Sequence, residues 1–131
     1  MEYVSPRDLA DTLRQTPTAD ARRPLIIDVR DDDFAGGHIR GAVNLPQRNF
    51  EEDDDVDKLV ETFKDKPVVV FHCMMSQVRG PFCARRFASR LDVVLKNADH
   101  KPEVKVLHGG FQQFARMYGN DPDLVEDMHT R

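Results

Sequence analysis

The sequence predicts an α/β domain, with a mainly parallel central sheet and helices on both faces. Three observations carry that expectation. The 131 residues form one domain-sized chain, long enough to bury one core. Strand-like and helix-like stretches alternate along it, the pattern of strands joined by right-handed helical crossovers. The clearest strand, Pro67–Cys73, is almost continuously apolar, as strands buried on both faces of a parallel sheet are.

Each element has its own signal. Ser5-Pro6 followed by Asp8 predicts a helix start, with Ser as N-cap, Pro in the first turn and an acid near the positive end of the dipole. That helix runs to about Arg14, and Pro17–Pro24 is a loop. Leu25–Val29 is a short apolar strand, Asp31–Gly37 a polar turn or short helix, and Ala42–Leu45 a second strand stopped by Pro46. Within Asp55–Lys64, Val56, Leu59, Val60 and Phe63 share one helical face. Between Gly80 and Leu95, Cys83, Phe87, Leu91 and Leu95 do the same. Val104–Leu107 is the fourth strand, and Gly109-Gly110 turns into a helix carrying Phe111, Phe114 and Tyr118. From Asn120 the chain is polar and is expected to fray, leaving a core of about residues 3–118 in a single 1–131 domain.

Composition narrows the function classes. The longest apolar run, Val68–Phe71, is far shorter than the roughly 20 residues of a membrane span, so no membrane association is expected. The start, MEYVSPRDL, lacks the apolar stretch of a secretory leader. Two cysteines make no disulfide framework, and no Cys-x-x-Cys pair suggests a zinc finger. A reducing cytoplasmic or nuclear setting follows as the expectation. The net charge of −4 argues against a nucleic-acid partner. Acids dominate from Asp28 to Lys66 and bases from Pro67 to Lys101. Arg85, Arg86 and Arg90 read as a solvated helix face, and Glu51–Asp55 as a solvated acidic loop feeding the next helix.

The informative segment is Phe71-His72-Cys73-Met74-Met75-Ser76-Gln77-Val78-Arg79-Gly80-Pro81. A cysteine just past the central strand is followed five residues on by an arginine, where a helix begins. Open α/β sheets bind ligands at the carboxyl ends of their strands. A loop of this kind turns backbone N–H groups into an oxyanion-sized concavity, and the helix N-terminus adds about half a positive charge. Arg79 would supply a planar fork for two oxygens of a tetrahedral anion. The same field favours thiolate over thiol for a cysteine so placed. Cys73 is therefore the candidate nucleophile, Arg79 the candidate catalytic oxyanion ligand, and Met74, Met75, Ser76, Gln77, Val78 and Arg79 the candidate substrate-binding loop. The alternative is a buried structural cysteine with a surface arginine.

HCMMSQVRGP, with DVRDDDFAGGHIRGAVNLP upstream (Asp28–Pro46) and VLHGGF downstream (Val106–Phe111), resembles the rhodanese-fold phosphatases. These are the cell-division-cycle-type dual-specificity phosphatases and the eukaryotic arsenate reductases built on the same catalytic domain. The likeness covers about Tyr3 to Tyr118 and implies a rhodanese-like domain. Sulfurtransferases of this fold carry a catalytic loop one residue shorter, so Cys73–Arg79 matches the members that handle phosphate or arsenate. The resemblance implies a phosphatase whose partner is a phosphorylated substrate, working through a cysteinyl-phosphate without a cofactor. The alternatives are an arsenate reductase drawing electrons from glutathione and glutaredoxin, and a non-catalytic binding module. It further implies that His72, directly before the nucleophile, supports the loop through a hydrogen bond.

The sequence departs from that family in two places. Several cell-cycle phosphatases have a glutamate within the loop, whereas Met74–Val78 holds no acid. Asp31, Asp32 and Asp33 follow a neighbouring strand end but read as solvent-facing, which leaves the general acid unassigned. The plant members carry a Cys-rich zinc-binding tail. Asn120–Arg131 has no cysteine and only His129, so no metal is expected. Cys83 reads as a core cysteine, the alternative being a redox partner of Cys73. His38 reads as structural, Met74 and Met75 as pocket-mouth or packing residues, and His108-Gly109-Gly110 as a flank of the pocket.

Overall fold

The computed structural model describes residues 2–128. The chain opens on a strand, β1 (Glu2–Val4), and enters α1 (Pro6–Gln15) through the predicted cap: the Ser5 side chain accepts the Asp8 amide at 3.0 Å. Next come β2 (Leu25–Asp28), a 3₁₀ turn (Asp32–Gly36), β3 (His38–Ile39), β4 (Val43–Asn44) and a second 3₁₀ turn (Gln47–Phe50). Then follow α2 (Asp53–Phe63), β5 (Val68–His72), α3 (Arg79–Val94), β6 (Glu103–Leu107), α4 (Gly110–Tyr118) and β7 (Val125–Glu126).

Five strands form one sheet in the order β1-β6-β5-β2-β4, every pairing parallel. The period-2 alternation of a strand sorts its side chains into two layers. Ile27, Val69 and Phe71 face α2 and α3, where they meet Val56, Val60, Phe87 and Leu91. Ile26 and Val70 face α1 and α4, where they meet Leu9, Leu13 and Phe114. β5 is central and buried on both sides, which explains its unbroken apolar sequence. Its carboxyl end therefore opens in the middle of the sheet.

Four expectations need correction. The sequence showed four strands, and β1, β3 and β7 escaped it. Two- and three-residue strands carry too little periodicity to be seen, and parallel pairing to β6 is what makes β1 a strand. The polar stretch after Asn120 does not fray in its described part. Leu124 is fully buried, and β7 pairs antiparallel with β3 in the register Ile39↔Val125. Residues 129–131, His129 among them, lie outside the described residues. Finally, α2 starts at Asp53, so the acids Asp53–Asp55 form its first turn rather than a loop. Arg86 and Arg90 are not simply solvated: Arg86 reaches Asp53 at 2.6 Å and Arg90 reaches Asp57 at 2.6 Å, clamping α3 to α2.

Candidate active site

Cys73 follows the last residue of β5, and the loop from Cys73 to Val78 delivers the chain into α3. The loop curls back because Ser76 adopts a left-handed conformation (φ 55°). That turn aims the Ser76 amide at the Cys73 sulfur, 3.2 Å from Sγ. The Gly80 amide, in the first turn of α3, donates to the same sulfur at 3.4 Å. Gly80 lets the helix come close to the loop: an added Cβ would lie 3.3 Å from the Cys73 amide nitrogen, a tight contact. Two N–H dipoles and a helix N-terminus thus converge on one sulfur, an arrangement that favours negative charge there. Among the described residues, the amides of Met74, Met75, Gln77, Val78 and Arg79 donate to no protein acceptor. They are the donors an oxyanion would take.

The outer side of the loop is held by its carbonyls. Phe111 N–H donates to Cys73 O at 3.0 Å, and Gln112 N–H donates to Met74 O at 2.8 Å. The free N-terminal amides of α4 are thereby satisfied by the carbonyls of the Cys73–Val78 loop. Gly110 (φ 61°) permits this approach, since a Cβ there would lie 2.5 Å from Met74 O. From below, the fully buried His72 donates Nδ1–H to Cys73 O at 3.0 Å. Burial lowers the pKa of His72 despite the opposing pull of Asp28, so the ring is neutral with its proton on Nδ1. That bond ties His72 to the backbone at the start of the loop.

Arg79 does not turn away to solvent. Its Nη2 lies 3.1 Å from Asp33 Oδ2, and its pKa is raised chiefly by that bond, with the neighbouring Cys73 adding to the effect. Asp33 corrects the solvent-facing reading of the three acids. Asp31 pairs on the surface with Arg48 and Asp32 is exposed, but Asp33 orients the arginine. The burial of Asp33 alone would raise its pKa. Bonding to Arg79 outweighs that, and its carboxyl stays below the ordinary value.

Asp33 is placed by a buried pair that the sequence reading did not single out. Asp28 and Arg30 are both almost fully buried, and Arg30 forks onto the carboxylate through Nε and Nη2. Arg30 also donates to the carbonyls of Asp33 and Gly37 and stacks over the Phe111 ring at 4.4 Å. The acid-x-Arg triplet at the end of β2 and the glycine doublet before α4 were the available signals for these parts.

The remaining candidates separate cleanly. Met74 is half-buried, while Met75, Gln77 and Val78 are exposed at the loop rim. The Ser76 hydroxyl is buried without a protein partner. Cys83 is fully buried in the core, and burial pushes its thiol up to about 12, so it is a packing residue. His38 stacks on Phe34 and pairs with Glu126 at 3.1 Å, closing β3 onto β7. Among the described residues, no cluster of His, Cys, Asp or Glu is placed to hold a metal ion. Among the described residues, no helix is long and apolar enough to cross a membrane.

Compared with known proteins, residues 5–117 match the family described as rhodanese-like domain. The chain is 34% identical to the dual specificity phosphatase ibp1 of Schizosaccharomyces pombe, over 96% of each sequence. It superposes on the solved As-Sb reductase of Leishmania major with a TM-score of 0.80 and 35% identity, covering 95% of this chain and 83% of that one. A yeast protein tyrosine phosphatase of the rhodanese family, Ygr203w, follows at TM-score 0.78 and 27% identity, covering 98% of this chain and 93% of that one.

Proposed function

The chain belongs to the rhodanese-like domain family, and within it we propose that this protein is a cysteine-dependent phosphatase of the dual-specificity type. The observation that carries the reading is the Cys73 sulfur at the focus of two amide donors, with Arg79 at the end of the same loop. A phosphomonoester enters with its non-bridging oxygens toward the free loop amides and the Arg79 guanidinium. Cys73 attacks phosphorus as a thiolate, the phosphorus–oxygen bond to the leaving group breaks, and a cysteinyl-phosphate forms. Water then attacks phosphorus and returns the thiolate. Arg79 and the amides act on both steps because the charge grows on the oxygens they face. His72 and the α4 N-terminus hold the loop in that geometry and take no part in bond making.

A second reading, arsenate reduction at the same loop, is favoured by the absence of an acid in Met74–Val78 and by the likeness to the Leishmania reductase. Arsenate brings no organic leaving group to protonate. Cys73 would form an arseno-thioester, and a thiol reductant of the glutathione and glutaredoxin class would supply the two electrons that release arsenite. Either chemistry needs a free thiol at Cys73, so a reducing cytoplasmic or nuclear setting is part of the proposal. The test is a side-by-side assay on an aryl phosphate and on arsenate with glutathione and glutaredoxin, for the wild type and Cys73→Ser. The variant is expected to fold and to retain under about 1% of either activity, because a hydroxyl in this loop stays protonated. Turnover of arsenate alone would replace the phosphatase reading with the second one.

A further inference from the structure

Phosphoester cleavage needs a proton for the leaving oxygen, and the groups beside the thiol are occupied elsewhere. Asp33 is bonded to Arg79 and held ionised. Asp28 is locked in the buried fork of Arg30. His72 is neutral, beneath the loop, with its only proton given to the Cys73 carbonyl. The loop residues Met74–Val78 carry no acid.

One cleft opens directly from the loop. It has a volume of about 720 Å³ and is lined by Tyr3, Met75, Ser76, Gln77, His108 and Gly109. Three of these are loop residues, and Ser76 is the one whose amide reaches the Cys73 sulfur. A leaving group on an oxyanion seated in the loop has this cleft beside it, walled by an aromatic ring and a thioether. His108 lies at the end of β6, immediately before the glycines that dock α4 onto the loop. Its amide is pinned to Val4 O at 2.9 Å, and its ring meets Tyr3 edge-on at 6.3 Å. The pairing of β1 with β6 therefore sets both rings along one wall. Of the side chains lining the cleft, Tyr3 and His108 carry acid–base groups.

Resting on the phosphatase reading, we infer that His108 is the proton donor to the leaving group, and that the Tyr3–Met75–His108 wall is the leaving-group subsite. As the thiolate attacks phosphorus and the ester bond breaks, the imidazolium proton passes to the departing oxygen, leaving neutral imidazole and cysteinyl-phosphate. In the second step the imidazole takes a proton from the attacking water. Phosphate and thiolate are released, and the imidazolium is restored. Histidine suits both directions because its two protonation states exchange near neutral pH.

The experiment compares wild type, His108→Asn and Tyr3→Phe on phenyl phosphate, whose leaving group needs a proton, and on p-nitrophenyl phosphate, whose leaving group does not. His108→Asn is expected to lose about 100-fold in kcat/KM on phenyl phosphate and under about threefold in kcat/KM on p-nitrophenyl phosphate, because kcat/KM ends at cysteinyl-phosphate formation and leaves out the hydrolysis step the two substrates share. It should also lose the alkaline limb of the phenyl phosphate pH profile, while Tyr3→Phe keeps that limb. Equal losses on the two substrates, or no loss on either, overturn the assignment while leaving the phosphatase reading intact. A wild type that cleaves neither ester overturns both.

Discussion

Replacing Gly110 with alanine tests whether the docking of α4 onto the loop matters for chemistry. The new Cβ would lie 2.5 Å from Met74 O and 2.8 Å from Cys73 O, both backbone atoms, where ordinary contact begins at 3.4 Å. Either α4 or the loop must therefore retreat by roughly 0.9 Å at the tightest point. The residue also sits at φ 61°, where an L side chain costs about 1 kcal/mol. The retreat lengthens the bonds from Phe111 to Cys73 O and from Gln112 to Met74 O, each contributing about 1 kcal/mol. The expected stability loss is about 3 kcal/mol, read from urea unfolding followed by circular dichroism. The expected activity loss is larger. A shift of about 1 Å in a positioned catalytic group costs ~10²-fold, so kcat on p-nitrophenyl phosphate should fall by about that factor at temperatures where the variant is folded. Gly36→Ala is the control, since a Cβ there meets nothing within 4 Å. If Gly110→Ala matches wild type in both measurements, the loop does not depend on α4 and its carbonyl bonds are incidental.

Other outcomes follow from the same geometry. Arg79→Lys keeps the charge but loses the fork, so it should fold normally and lose at least about tenfold in kcat/KM, mainly in kcat. A lysine variant with unchanged kinetics removes the oxyanion role. Iodoacetate at neutral pH should label Cys73 alone, with phosphate protecting it, because burial holds the Cys83 thiol up to about 12. Peroxide should yield no Cys73–Cys83 disulfide by mass spectrometry, and labelling of Cys83 in the folded protein would contradict its core placement. The pKa of buried His72 is lowered, so the unfolded chain binds its proton more readily than the folded protein does. Stability is therefore full above the ordinary histidine value of about 6.5 and falls as pH drops through it. Asp57 and Asp121, held below the carboxylate range by Arg90 and Arg14, add a further loss as pH falls below about 4. A urea midpoint that stays level from pH 7 to pH 4.5 would refute a neutral buried His72.

The sequence alone determined the parts of this protein whose signal is local. The Ser5-Pro6 cap of α1, the apolar run of β5 and the shared helical faces of α2 and α3 are each written in consecutive or periodically spaced residues. Cys73 and Arg79 stood out for the same reason, because the candidate nucleophile and the candidate oxyanion ligand sit in one short loop and the spacing between them is the motif. What tertiary structure decided are features made by residues far apart in the chain. β1 and β7 are strands only because β6 and β3 offer them backbone partners. Leu124 is core only because α1 and β3 leave a space for it. Whether Asp31, Asp32 or Asp33 would meet Arg79 could not be read from three adjacent identical side chains. The choice is made by Arg30, which grips the Asp33 carbonyl from within a buried ion pair. Likewise the glycine doublet before α4 announces a turn, but its purpose appears only when the helix N-terminus is seen against the carbonyls of Cys73 and Met74. Periodicity and spacing describe how a segment relates to itself, while an unpaired backbone group or a buried charge takes its partner from whatever the fold brings near.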